Sequence, residues 1–103
     1  MSATAAIGGA DQFYRLDVTY GESTKRFMVP SGVANDAERA FGEFTVENSA
    51  VLEGDGIAVC SPSGHGFQMI FKNSRGQEGG KFICDFSPYW GPSKQYDGYW
   101  VDT

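Results

Sequence analysis

Gly56–Ser87 reads GIAVCSPSGHGFQMIFKNSRGQEGGKFICDFS, and its periodicity decides the fold class. Three apolar runs, Ile57–Cys60, Phe67–Phe71 and Phe82–Phe86, are separated by segments rich in Gly, Ser and Pro. Phe67, Met69 and Phe71 alternate with Gln68, Ile70 and Lys72; Phe82, Cys84 and Phe86 alternate with Lys81, Ile83 and Asp85. A period of two is the mark of extended chain whose successive side chains point to opposite faces. The stretch therefore predicts a strand–loop–strand–loop–strand meander with one face turned to a core.

Upstream, Tyr14, Leu16, Val18 and Tyr20 alternate with Arg15, Asp17 and Thr19, and Lys25–Val29 follows a Gly21-Glu22-Ser23 turn. This predicts a hairpin, ended by Pro30, which cannot donate to a ladder. Ser31–Phe41 reads as the only helix: Ala34, Ala37, Ala40 and Phe41 recur at helical spacing, Asn35 with Glu38 offers a capping box and Ser31 a rival cap, and Gly42 can close it. Phe44 and Val46 start another strand, Asn48-Ser49 interrupts it, and Glu53-Gly54-Asp55-Gly56 reads as a turn. Tyr99–Val101 predicts a short closing strand. The first ten residues show no apolar period and read as a flexible N-terminus, leaving 11–103 as a single β-rich domain. The expected fold is mainly β, a small antiparallel sandwich or roll of six or seven strands with one short helix.

Thirteen acidic residues against eight basic ones give a net charge of −5, which repels phosphate backbones and anionic headgroups. Nucleic acid is not an expected partner, and no apolar run approaches the ~20 residues that a membrane helix needs. Six of the acids fall within Asp36–Asp55 beside one base, and read as a solvated face. The alternating oxygen ligands of a calcium loop are absent there, and two Cys with one His do not make a structural zinc site. No cofactor is expected. Cys60 and Cys84, the two cysteines, are candidates for a disulfide if their strands come within bonding reach; otherwise they are small core residues.

Four places carry chemistry worth weighing. His65, the one imidazole, lies in Ser61-Pro62-Ser63-Gly64-His65-Gly66, where a Ser–His pair would use Ser61 or Ser63 with Asp85 or Asp97 behind it. Nothing resembles a nucleophile elbow, and the segment reads better as a turn. Paired carboxylates could come from Asp17, Glu43, Glu47, Asp85 and Asp97, but no spacing selects a pair. Gly76–Lys81 lacks the order of a phosphate loop, since Phe82 stands where Ser or Thr is required. Catalysis is not expected.

The fourth place is the aromatic C-terminus, SPYWGPSKQYDGYWVDT, which holds both tryptophans. Tyr and Trp join a large apolar face to one polar handle, suiting them to stack on a sugar or to anchor a protein. Tyr89, Trp90, Tyr96, Asp97, Tyr99 and His65 are the candidate ligand-binding residues. The competing reading puts these rings, Trp100 above all, into a core too small for strands alone. The expected function is a non-catalytic binding domain. Carbohydrate comes first, a protein partner second, and pairing of two subunits through the aromatic tail is a third option.

With few lysines, many glycines and aromatics and two Cys, the composition is similar to that of small exported β-proteins of microbes and fungi. Lectin-like modules, effectors and protease inhibitors are among them. The likeness implies a secreted protein. The N-terminal MSATAAIGGADQ has neither the basic nor the apolar region of a signal peptide, so a cytoplasmic location stays open.

Overall fold

The computed structural model describes residues 1–8, 12–20, 23–30, 38–85 and 93–102. They form eight strands: β1 (Ser2–Gly8), β2 (Gln12–Tyr20), β3 (Ser23–Met28), β4 (Glu38–Val46), β5 (Gly54–Ser63), β6 (Gly66–Asn73), β7 (Glu78–Cys84) and β8 (Lys94–Asp102). Every pairing between neighbours is antiparallel, and the order β1-β2-β3-β8-β5-β6-β7-β4 closes on itself as a barrel.

The expected sandwich or roll with a helix is corrected. A sandwich needs two sheets with free edges, whereas here β3 pairs with β8 and β4 pairs with β7, so both seams between the halves are hydrogen-bonded. The closed order is two Greek keys, 4-1-2-3 and 8-5-6-7, joined edge to edge. This repeat lies in topology and is not visible as repeated sequence.

The helix expected over Ser31–Phe41 is overturned where it is described. Residues 31–37 lie outside the described residues, and 38–41 begin β4, where Ala40 pairs with Ala5 of β1. Ala40 and Phe44 are buried while Arg39, Phe41, Glu43 and Thr45 are exposed, which is the period of a strand. Among the described residues the one helical element is a single 3-10 turn, Ser49–Val51, capped by Asn48, whose side chain accepts from the Ala50 N–H at 3.2 Å.

Residues 2–8, read as part of a flexible N-terminus, instead form β1, paired with β2 on one side and β4 on the other. Their signal is hidden because the inward residues Ala3 and Ala5 are small. Small residues are what the barrel needs there. Ala3, Ala5 and Ala40 of one key and Gly56, Ala58 and Gly98 of the other line the interior together with Phe27, Phe44, Phe67, Phe71 and Phe82. Setting small side chains against large ones fills a small barrel without a void. Phe27, Phe44, Phe71 and Trp100 meet with ring centroids 5.2–6.2 Å apart. Trp100 is 6% exposed, as the core reading had it, and its Nε1 is buried with no hydrogen-bond partner.

Two bulges adjust the walls. Ile7 faces Phe13 and Ala6 faces Arg15, so Tyr14 is an extra residue in β2 and Phe13 joins Leu16 in the interior. The alternation expected for β2 is seen over 16–19, with Leu16 and Val18 buried. In β7, Gly79 is skipped between the Phe71–Gly80 and Lys72–Glu78 pairs. Its carbonyl accepts from the N–H groups of Glu47 and Asn48 at 2.9 and 3.0 Å, and a Cβ there would lie 2.7 Å from Val51. Val51 and Leu52, both buried, thereby close this end of the barrel.

Cys60 and Cys84 are not bonded to each other, which corrects the disulfide expectation. Cys60 faces Met69 and Cys84 faces Phe67, both on β6, so a whole strand lies between them. Two inter-strand spacings, about 9.5 Å, exceed the ~7 Å Cα separation that a disulfide tolerates.

No helix of the described residues is long and apolar enough to cross a membrane.

Candidate functional site

The interior is packed with rings, so a candidate ligand surface is sought outside, where β8 and β5, the first two strands of the second key in spatial order, meet. Asp55-Gly56-Ile57 on β5 runs antiparallel to Asp97-Gly98-Tyr99 on β8, with Gly56 facing Gly98, Asp55 facing Tyr99 and Ile57 facing Asp97. The two glycines point inward over the ring of Phe27. A Cβ on Gly98 would lie 2.7 Å from Phe27 Cε2 and Cζ and closer still to the Met28 carbonyl oxygen; one on Gly56 would lie 2.9 Å from the Lys72 carbonyl oxygen.

Glycine is thus required on the inner face for β8 to approach β3 and for Phe27 to fill the space beneath. On the outer face this leaves a square of four side chains. Tyr99 and Ile57 occupy one diagonal, Asp55 and Asp97 the other, at the roughly 7–8 Å expected of diagonal neighbours.

A groove of about 400 Å³ runs over this square, lined by Pro30, Asp55, Ile57, Ser74, Asp97 and Tyr99 together with the glycines. Tyr99 is 37% exposed, Ile57 is half-buried and both aspartates are exposed. Among the described residues neither aspartate takes part in an ion pair.

The groove adjoins a second cleft, of about 510 Å³, sharing Pro30 and Asp97 with it. The β3–β8 ladder stops at the Met28–Tyr99 pair while β8 runs on to Lys94. The second cleft lies along that continuation, lined by Phe13, Val29, Lys94, Gln95 and Tyr96. Tyr96 is half-buried, with the edge of Phe13 against it at 5.5 Å between centroids and the Lys94 ammonium 5.3 Å from its ring centre. Of these two tyrosines Tyr96 is the more engaged within the protein and Tyr99 the more exposed.

Of the residues expected from sequence, Tyr96, Asp97 and Tyr99 are brought together on β8, and Tyr89 and Trp90 lie outside the described residues. His65 is exposed in the β5–β6 turn and lines neither cleft. Ser61 receives a long contact from Gln68 Nε2, 3.5 Å, and among the described residues no hydrogen bond joins His65 to Ser61 or Ser63. Asp17 is held by Arg26 at 2.6 Å and Arg15 at 3.3 Å, and Glu43 by the N-terminal ammonium at 3.5 Å, so these carboxylates are engaged in structure.

Sequence reasoning missed Asp55, Ile57, Pro30 and Ser74. A signal was present: Asp-Gly followed by a large apolar residue occurs at both 55–57 and 97–99. Only the register shows that the two copies face each other.

No protein-family model, curated protein or solved structure matches the chain.

Proposed function

We propose that this domain binds carbohydrate without chemical turnover, in the groove over Asp55, Ile57, Asp97 and Tyr99. The observation that carries the reading is the half-exposed Tyr99 ring set in a groove between two carboxylates that have no partner among the described residues. A phenol ring stacks on the C–H face of a pyranose, and carboxylates flanking it accept from the hydroxyls at the ring's edge. Pro30, Ile57 and the glycine backbone supply a shallow floor, which suits a flat ligand better than a compact one.

The test is titration calorimetry of the protein, and of its Tyr99→Ala variant, against a panel of soluble oligosaccharides. Saturable binding in the wild type, lost in a Tyr99→Ala protein that melts as the wild type does, supports the reading. Binding that is unchanged by Tyr99→Ala, or no binding across the panel, defeats it.

One observation favours a second reading, a protein partner. Phe41 on β4 is 71% exposed and Ile83 on β7 is 38% exposed, and they are diagonal neighbours, since Glu43 between them in register faces Ile83. Ile70 and Val59 continue the apolar belt across β6 and β5. A patch of this kind on an outer wall is characteristic of an interaction surface.

A further inference from the structure

We infer that the preferred ligand of the groove is a cationic amino sugar rather than a neutral one, an inference that rests on the carbohydrate reading of the same site. Neutral hydroxyls need acceptors and donors in balance. The described lining of this groove is one-sided: Asp55 and Asp97 are acceptors only, Ser74 and the Tyr99 hydroxyl can act either way, and no lysine or arginine is present.

Lys72 faces outward from β6 opposite Ile57 and forms no ion pair with either aspartate, although it stands one strand away. Lys94 is drawn off to the Tyr96 ring in the adjoining cleft. The two carboxylates are therefore left uncompensated, in a chain that already carries a net charge of −5. An ammonium group relieves that local excess of negative charge, and a hydroxyl does not.

The geometry suits a pyranose that carries its charge at the rim. With the sugar's C–H face on Tyr99, the aspartates lie to either side of the stacked ring, on the opposite diagonal of the square. An equatorial amine then points at one carboxylate, and the other is placed for a hydroxyl of the same ring or an amine of the next. Stacking places the ligand on the Tyr99 ring face, and a cation held near that face is attracted to it. Acetylating the amine removes the charge and adds bulk where the carboxylate stands, so the N-acetylated sugar is disfavoured twice.

The experiment compares four probes by calorimetry: a β-1,4-linked tetramer of glucosamine, its fully N-acetylated counterpart, the neutral glucose tetramer of the same linkage, and tetralysine. The glucosamine tetramer is expected to bind about tenfold or more tighter than either uncharged tetramer. Asp55→Asn and Asp97→Asn should each weaken it by about three- to tenfold and weaken the uncharged tetramers by less, so that the preference for the amino sugar narrows. Raising ionic strength from about 0.02 to about 0.5 M should erode the preference.

If the N-acetylated or glucose tetramer binds as tightly as the glucosamine tetramer, the inference fails and the carbohydrate reading stands. If no tetramer binds, both fail. Tetralysine binding as tightly as the glucosamine tetramer, and indifferent to Tyr99→Ala, also overturns the inference, because charge alone would then explain it. The aspartate variants are conservative changes at exposed positions, and matching melting curves check that each is folded.

Discussion

Gly98→Ala is the sharpest test of the arrangement beneath the groove. On backbone entropy alone the change should help, since glycine inside a strand costs about 0.5–1 kcal/mol relative to alanine. The structure reverses the sign. The new methyl would sit 2.7 Å from two ring carbons of Phe27 and nearer still to the Met28 carbonyl oxygen. Phe27 is fully buried and touches Phe13, Phe71 and Trp100, so its ring has no room to withdraw. The carbonyl belongs to the last pair of the β3–β8 ladder, which closes one of the two seams between the keys. Overpacking of this kind costs typically 1–3 kcal/mol, and contact with backbone as well as ring argues for the upper part of that range or beyond.

A net loss of about 2–3 kcal/mol corresponds to a fall in Tm of roughly 8–20 °C for a domain of this size. Gly54→Ala is the control. Its φ of 64° is strained for alanine, but nothing stands within 4 Å of the added atom, so the loss should be about 1–2 kcal/mol. Urea unfolding followed by circular dichroism measures both. A Gly98→Ala protein as stable as the wild type, or less affected than Gly54→Ala, would refute the close approach of β8 to β3.

Phe71→Ala should cost about 3–5 kcal/mol, because a fully buried ring in contact with Phe27, Phe44 and Trp100 leaves a cavity that its neighbours cannot fill; chemical denaturation reads it directly. Asn73→Ala should cost about 1 kcal/mol, since Asn73 Oδ1 accepts from the N–H groups of both Arg75 and Gln77 at 3.0 Å in the β6–β7 turn, and exchange of those two amides should quicken in the variant. A reductant should leave Tm unchanged, and both Cys60 and Cys84 should react with a thiol reagent in denaturant alone, because β6 separates them; a Tm that falls on reduction would contradict the strand order.

The fold was legible where large side chains alternate. Phe67, Met69 and Phe71 on β6 and Phe82 and Cys84 on β7 are buried at every second position, as their period demands. It was illegible where the barrel needs small residues. Ala3 and Ala5 look like an unstructured tail, and Ala40 is equally at home in a helix. Their burial follows from closure of the barrel, which β1 and β4 share with strands lying elsewhere in sequence. Tyr14 and Gly79 add bulges that no period announces. In the site, Asp97 and Tyr99 drew attention as polar and aromatic neighbours in the tail, whereas Asp55 looked like an ordinary turn residue between two glycines.

The sequence by itself determined that this chain is acidic, mostly β, and built from hairpins with aromatic inward faces, because alternation and turn chemistry are local properties of neighbouring residues. Only the tertiary structure decided that the strands close into a barrel of two keys, that Cys60 and Cys84 stay apart, and that Asp55 meets Tyr99. Those depend on which strand lies beside which and in what register. That choice is made by the fit of large against small side chains across the whole interior, and no short stretch of sequence contains it.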